Sequence, residues 1–272
     1  MSQIPIIRLN SGVEIPQLGF GSWPVESAAV VRDAIEAGYR HIDTAAAYGN
    51  EHEVGQAIRE CGLPRAELFV TTKLADDRHG YDKAIAALDE SLQKLGLDQV
   101  DLFLIHWPHP RAERIVETWR AFEKIVSDGK ARAIGVSNFR ISDLERLAAE
   151  TDTLPALNQI ELHPWLPQSE LRAYHRQHAI ATEAWSPLAR GGELLADPTI
   201  AGLAEKHGKS PAQIVLGWHL RLGNIVIPKT VTPSRIAENF DVLDFRLSDE
   251  DMAAIAKLEN GRRIGPDPDV FP

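Results

Sequence analysis

Cysteine is nearly absent from this chain of 272 residues: there is one, Cys61. A lone thiol excludes an internal disulfide and leaves no cluster for a structural zinc site. Basic residues are also in deficit, 29 Lys and Arg against 39 Asp and Glu, for a formal net charge of −10. No local basic patch offsets that deficit, which argues against nucleic acid as a partner. An anionic ligand would have to be held by a few focused cations. No apolar stretch resembles a signal peptide and no apolar run reaches membrane-spanning length. A monomeric protein of the reducing cytoplasm is the expectation. What remains is ordinary globular composition, 44% hydrophobic and 25% charged, enough for a sizeable core in one domain over residues 1–272.

The stretch from Arg40 to Glu51 organises the rest. It reads as the end of a short buried strand, a tight passage and the start of a helix. Asp43 stands where the strand ends and Tyr48 just before the helix, so a carboxylate and a phenol reach one mouth of the same sheet. Upstream, residues 6–9 and 13–15 flank Asn10-Ser11-Gly12 as a hairpin that caps some other structure. Strand signals then recur at 18–21, 40–43, 68–73, 100–105, 131–136, 156–159, 180–185 and 225–227. Helices separate them, opened by Ser27, by Ser142 with Glu145 as a capping box, by Ser210-Pro211 and by Thr232-Pro233; a further one spans 248–258. Trp119 and Trp218 fall within helices and read as packing. The tail from Gly261 reads as a surface loop.

Alternating short strands, apolar on both sides, mean a covered parallel sheet, either open and doubly wound or closed into a barrel. An open dinucleotide-binding sheet wants Gly-x-Gly-x-x-Gly after its first strand. Gly19-Phe20-Gly21 begins that pattern, but Pro24 occupies the third position and Trp23 would crowd the phosphates. Eight strands, and a length near the ~250 residues typical of such barrels, predict an α/β protein of the (β/α)8 TIM-barrel class, with an N-terminal β-hairpin cap and extra C-terminal helices.

In a parallel barrel the active site lies at the C-terminal strand ends. The residues there are Asp43 and Tyr48, Lys73, His106, Ser137 and Asn138, Gln159, Trp185 and Lys229. Singly, each has a plain structural explanation: a helix cap, a rim aromatic, a solvated strand end, a hydrogen-bonded histidine. Jointly, Asp43, Tyr48, Lys73 and His106 complement one another. An ammonium beside a phenol is expected to lower its pKa, a carboxylate keeps that ammonium charged, and a histidine can orient a carbonyl. Such a set protonates an oxyanion while hydride arrives from elsewhere. Trp185 offers a face for a nicotinamide, and Ser137, Asn138 and Gln159 offer partners for its carboxamide. Lys229, Thr230 and Arg235 gather cations and a hydroxyl at a helix start, suited to the 2′-phosphate of NADPH. No metal ligand set is recognised.

Gly38-Tyr39-Arg40-His41-Ile42-Asp43-Thr44-Ala45, Tyr48-Gly49-Asn50-Glu51, Thr71-Thr72-Lys73, Ile105-His106-Trp107-Pro108, Ile134-Gly135-Val136-Ser137-Asn138-Phe139, Asn158-Gln159-Ile160-Glu161-Leu162-His163-Pro164 and Ile227-Pro228-Lys229 resemble the aldo-keto reductase superfamily. Within it the chain looks most like the bacterial 2,5-diketo-D-gluconate reductases. The resemblance covers nearly the whole chain. It implies NADPH-dependent reduction of aldehydes, ketones, keto-sugars and dicarbonyls, with Tyr48 as proton donor, Lys73 and Asp43 as its support and His106 on the carbonyl. It places Ser186, Leu188 and Arg190 along the pyrophosphate, and Glu238 and Asn239 near the adenine. Trp23, Trp107 and Phe271 would line the substrate pocket with Tyr48. Ala75 stands where many relatives carry tryptophan, which implies a wider pocket. The short tail implies a poorly closed, promiscuous mouth.

Two other readings compete. Some relatives hold the cofactor and regulate a partner, so a binding module with little turnover is one. A lyase or aldolase with Lys73 as Schiff-base nucleophile is the other, and it needs a neutral, desolvated lysine.

Overall fold

The computed structural model describes residues 4–108 and 114–271. The hairpin forms as expected: β1 (Ile6–Arg8) pairs antiparallel with β2 (Glu14–Pro16). Eight parallel strands follow, β3 (Phe20–Gly21), β4 (His41–Asp43), β5 (Phe69–Leu74), β6 (Val100–Ile105), β7 (Ala131–Ser137), β8 (Leu157–Glu161), β9 (Ala181–Trp185) and β10 (Ile225–Val226). They lie side by side in chain order. The ring closes where Leu18 bridges Val226: the Val226 amide donates to the Gln17 carbonyl and the Gly19 amide to the Val226 carbonyl, each at 2.9 Å. The first and last strands are shorter than the apolar runs suggested, because bridging Leu18 and Ile227 lie outside the regular ladder.

Helices α1 (Ala28–Ala37), α2 (Glu51–Glu60), α3 (Tyr81–Leu95), α4 (Ile115–Ser127), α5 (Ile141–Glu150) and α6 (Ser169–Gln177) each follow one strand. The helices α7 (Pro198–His207) and α8 (Pro211–Arg221) both precede β10, and α9 (Pro233–Phe240) and α10 (Asp249–Ala256) end the fold. Ser27, Ser210 and Ser248 cap α1, α8 and α10 with their side chains. The expected Ser142–Glu145 box does not form. Helix α5 starts one turn position earlier, and Asp143 accepts from the Arg140 backbone N–H at 3.1 Å and from its guanidinium at 2.8 Å. A carboxylate paired to an arginine outcompetes a serine hydroxyl for the same helix end.

Side chains alternate between barrel interior and helix layer along each strand. Outward residues such as Val70, Phe103, Ile105 and Val136 join Trp119 and Phe122 of α4 in the main apolar cluster. Trp119 and Trp218 are buried packing residues, as expected. Inward residues Phe69, Leu102, Leu104, Leu157 and Ile225 pack with Leu9 and Ile15 of the hairpin segment, which plugs the floor of the barrel. Above that apolar floor the inward positions turn polar: Thr71 and Lys73 follow Phe69 on the same face of β5, and both are fully buried. The barrel thus delivers its chemistry to one end.

Candidate active site

Strand β4 ends at Asp43 and β5 carries Lys73 beside it. The Lys73 ammonium donates to Asp43 Oδ1 at 2.6 Å, to the Thr44 carbonyl at 2.9 Å and to the Tyr48 hydroxyl at 3.3 Å. Tyr48 sits in a short 3₁₀ turn, Ala46–Tyr48. Asn50 fixes that turn: it accepts from the Thr44 hydroxyl at 2.7 Å and donates to the carbonyls of Ser22 and Val25 at 2.8 and 2.9 Å. The His106 ring stands edge-on to Tyr48, with centroids 5.7 Å apart. All four sequence-predicted catalytic residues therefore meet.

Their electrostatics differ from the expectation in one respect. Burial pushes the Tyr48 phenol above its ordinary pKa; Lys73 pulls it down, and the carboxylates of Asp43 and Glu183 push it up again. The predicted net lowering does not occur, because desolvating a phenolate costs more than one ammonium returns. Burial works against the Lys73 charge too, but Asp43 and Tyr48 outweigh it and hold the amine above its usual value. A buried, charged, ion-paired lysine is the wrong state for Schiff-base attack, which removes the lyase reading. Burial, with Lys73 second, lowers His106 to about 3, so the ring is neutral.

Tyr48, Asp43 and His106 open into a cleft of about 910 Å³. Lys73 lies behind them with no exposed surface. Ser137, Asn138, Gln159 and Trp185 line the same cleft, as do Ser186, Leu188 and Arg190 beyond β9. Much of this wall is braced internally. Asn138, at a left-handed φ of 62°, donates to the His106 carbonyl and to Ser137 Oγ, each at 3.0 Å, and accepts from the Trp185 indole at 2.7 Å. Gln159 donates to Asp43 Oδ2 at 2.8 Å, which leaves its carbonyl oxygen as the atom that could meet a ligand. Ser186, Ala189 and Arg190 also adopt left-handed φ, a concentration of strained non-glycine backbone of the kind found at ligand clamps.

At the far end the cleft is lined by Lys229, Thr230, Arg235, Glu238 and Asn239. Lys229 and Arg235 have no carboxylate within ion-pairing distance among the described residues. On a chain of net −10 two unpaired cations at the start of α9 fit a phosphate. A Cβ on Gly21 would lie 3.0 Å from the Ile227 carbonyl, so the opposite wall is kept low.

Trp23, Trp107 and Phe271 line the same cleft. Trp23 is 53% exposed, and Arg190 lies 6.0 Å from its ring. Ala75 does not line the cleft; its neighbour Asp76 does, with a carboxyl raised by burial to about 6. The tail contributes a wall to the cleft rather than a free loop. Phe271 packs on Trp107 with centroids 4.4 Å apart, and the tail is tied down by Glu161 and by an Arg140–Asp269 pair at 3.0 Å.

Sequence reading also missed Glu183, midway along β9 and fully buried. It lies 3.7 Å from His41, and among the described residues neither of its oxygens meets a hydrogen-bond donor. Burial, together with repulsion from Asp43, raises it to about 8; burial raises Asp43 as well, so the two carboxyls titrate as a pair, with Asp43 the one held by Lys73. The signal was present: a carboxylate inside an apolar strand, two residues before Trp185. Among the described residues no cluster could hold a metal ion and no helix is long and apolar enough to cross a membrane.

Residues 17–260 match the model of the aldo/keto reductase family. The chain is 50% identical over 275 residues to methylglyoxal reductase DkgA of Escherichia coli K12, covering 100% of this chain and 99% of that one. A crystal structure of an aldo/keto reductase from Brucella melitensis superposes with a TM-score of 0.93 at 55% identity, covering 95% of this chain and 99% of the other. A crystal structure of a Gox0644 variant in complex with NADPH gives a TM-score of 0.95 at 43% identity over 100% of both chains.

The Glu183 proton leaves a signature in stability. A carboxyl raised from 4.5 to about 8 on folding contributes stability that is complete below the lower value and lost as pH rises through the upper one. Gln cannot ionise. The melting temperature of Glu183→Gln should therefore gain steadily on the wild type between about pH 5 and about pH 8; a constant offset across that range would contradict the assignment.

Proposed function

Because the chain belongs to the aldo/keto reductase family, we propose that it reduces aldehydes and ketones to alcohols with NADPH, taking small dicarbonyls and keto-sugars as substrates. The observation that carries this reading is the buried relay at the mouth: Asp43, Lys73 and Tyr48 linked at 2.6 and 3.3 Å, with a neutral His106 beside the phenol. NADPH, when bound, supplies the hydride. The chain supplies the proton and the geometry. Tyr48 stays protonated in its buried setting, which is the state a general acid needs. Lys73 faces the phenol oxygen and stabilises the charge left on it after transfer. Neutral His106 can donate a hydrogen bond to the carbonyl oxygen without adding a second positive charge to the pocket. Ser137, Asn138 and Gln159 are assigned to the carboxamide, and Trp185 to the nicotinamide face. Ser186, Leu188 and Arg190 are assigned to the pyrophosphate. Lys229, Thr230 and Arg235 take the 2′-phosphate, and Glu238 and Asn239 the adenine. Trp23, Trp107 and Phe271 form the substrate wall.

Small dicarbonyls are favoured because the 50%-identical relative is named a methylglyoxal reductase; the 2,5-diketo-D-gluconate type is the sugar counterpart of the same reading. A monomer acting in the cytoplasm completes this reading. A purely regulatory binding module would have no use for a proton relay so completely assembled.

Tyr48→Phe should keep its NADPH dissociation constant within about twofold while turnover of methylglyoxal falls by roughly 10²–10⁴. Retention of most of the turnover would remove Tyr48 as the acid. Arg235→Ala should weaken NADPH by about 10- to 100-fold, the worth of a charged hydrogen bond, and leave NADH almost unchanged. Equal losses for both nucleotides would put Arg235 somewhere other than the 2′-phosphate.

A further inference from the structure

The segment after α10 returns to the mouth of the barrel without forming a helix or strand of its own. Its position is set by the residues that follow β8. The Asn260 and Gly261 amides both donate to the Trp165 carbonyl, at 3.1 and 3.0 Å. The Ile264 amide then donates to Glu161 Oε1 at 2.6 Å and the Gly265 amide to Glu161 Oε2 at 3.2 Å. Glu161 is 1% exposed and ends β8, in register with Trp185 on β9. Its carboxylate also meets His163 Nε2 at 3.0 Å and the Arg263 guanidinium at 4.0 Å, and its carbonyl accepts from Gln168 Nε2 at 2.7 Å. Gly265 lies flat on the indole it faces: a Cβ there would come within 2.3 Å of Trp185 Cη2 and 3.2 Å of Glu161 Oε2. Six residues on, Phe271 packs against Trp107.

We propose that Glu161 is a positioning residue for the substrate pocket, latching the C-terminal strap of residues 261–271 onto Trp185 and thereby setting the Trp107–Phe271 wall. The inference deepens the carbonyl-reductase reading and rests on it for the identity of the pocket. The other anchors of the strap are weaker by kind. The Arg140–Asp269 pair and the Arg262–Glu193 pair are exposed on the rim, with the acids 68% and 72% accessible, and exposed pairs contribute little. Arg262 also lies 4.6 Å from the Trp165 ring, at the start of the strap and away from Phe271. The aromatic contact at Phe271 is the thing being positioned. The Glu161 bonds are charge-assisted and dry, roughly twice as strong as neutral ones. They are also specific to a carboxylate. The two strap amides address different oxygens, so a carboxamide of the same shape would turn an N–H₂ toward one of them. A side chain present only to fill space would tolerate that exchange.

Glu161→Gln therefore tests the latch with almost no change of volume. Hydrogen exchange at the Ile264 and Gly265 amides should speed up by about tenfold or more, the worth of one charge-assisted bond. With NADPH and a bulky aromatic aldehyde, KM should rise by about five- to tenfold. With methylglyoxal, too small to need the wall, kcat should stay within about twofold of the wild type. Phe271→Ala should give the same KM rise, and the double variant should be no worse than Phe271→Ala alone, because both act through one strap. Unchanged exchange, or KM effects that multiply in the double variant, would overturn the proposal. So would a fall in kcat equal for both substrates, which marks a packing role at the end of β8. If the wild type turns over no carbonyl at all, the reductase reading fails while the exchange result still decides the latch. Should Glu161→Gln not fold, Gly265→Ala lifts the strap from the opposite side and must raise the aromatic KM in the same way; an unchanged KM there sinks the idea.

Discussion

One ammonium group, that of Lys73, holds the barrel interior together electrostatically. It has no exposed surface and divides its three protons among Asp43, the Thr44 carbonyl and Tyr48. Each of these partners needs it for a different reason. Asp43 would otherwise be a buried uncompensated carboxylate, a condition that typically costs about 3–5 kcal/mol when one partner of a pair is removed. Thr44 begins the turn that carries the phenol. Tyr48 receives from it the only attraction that opposes burial. A second carboxylate, Glu183, shares the same interior, but one cation cannot neutralise two anions. Burial raises both carboxyls, and they titrate as a pair: Asp43 is pulled back down by Lys73, while Glu183 is raised to about 8. His41 beside it stays uncharged, lowered by burial and by Lys73 to about 3. The interior at neutral pH is then one ion pair and a set of neutral polar groups.

In the proposed reaction this arrangement makes Tyr48 a reluctant acid in the resting protein and an effective one during reduction. A preformed phenolate would be useless to a reductase, since the product alkoxide needs a proton. Burial guarantees that the proton is present. Lys73 becomes important at the moment the proton leaves, when a buried negative charge appears 3.3 Å from a buried positive one. The neutral state of His106 belongs to the same logic, because a second cation in contact with the phenol would compete with Lys73 for the Asp43 carboxylate. Around this centre the protein concentrates backbone strain at Asn138, Ser186, Ala189 and Arg190 and braces that wall of the cleft through the Asn138–Trp185 bond.

The barrel was legible because its strands are short apolar runs that stop abruptly at polar residues, and the stopping points are the site. Asp43, Lys73, His106, Ser137 and Trp185 are strand ends or the residues next to them, so a rule about strand ends finds them together. Gln159 joins them only because the strand reads as ending there, whereas β8 runs on to Glu161. Glu183 escaped because it sits inside its strand, where only a count of inward positions would have raised it. The sign of the Tyr48 shift escaped because depth of burial is a property of the assembled barrel, while the ammonium neighbour can be read from spacing. The start of α5 was misplaced because Arg140–Asp143 is a side-chain pair acting as a cap, outside the serine and threonine vocabulary of helix starts. The anchored tail was hidden by distance along the chain: Glu161 and the Gly265 amide it receives are separated by 104 residues, and nothing local in the tail marks it as anchored.

The most direct test of the central claim is the titration of the Tyr48 hydroxyl itself. The chain has four tyrosines, so ζ-carbon labelling gives a spectrum in which Tyr48 is assigned by its loss in the phenylalanine variant. In the cofactor-free protein its resonance should show a protonated phenol through neutral pH and a midpoint above that of free tyrosine, and Lys73→Met should move the midpoint higher still. A midpoint below that of free tyrosine, or one that Lys73→Met leaves in place, would contradict a phenol held by burial and opposed by the lysine.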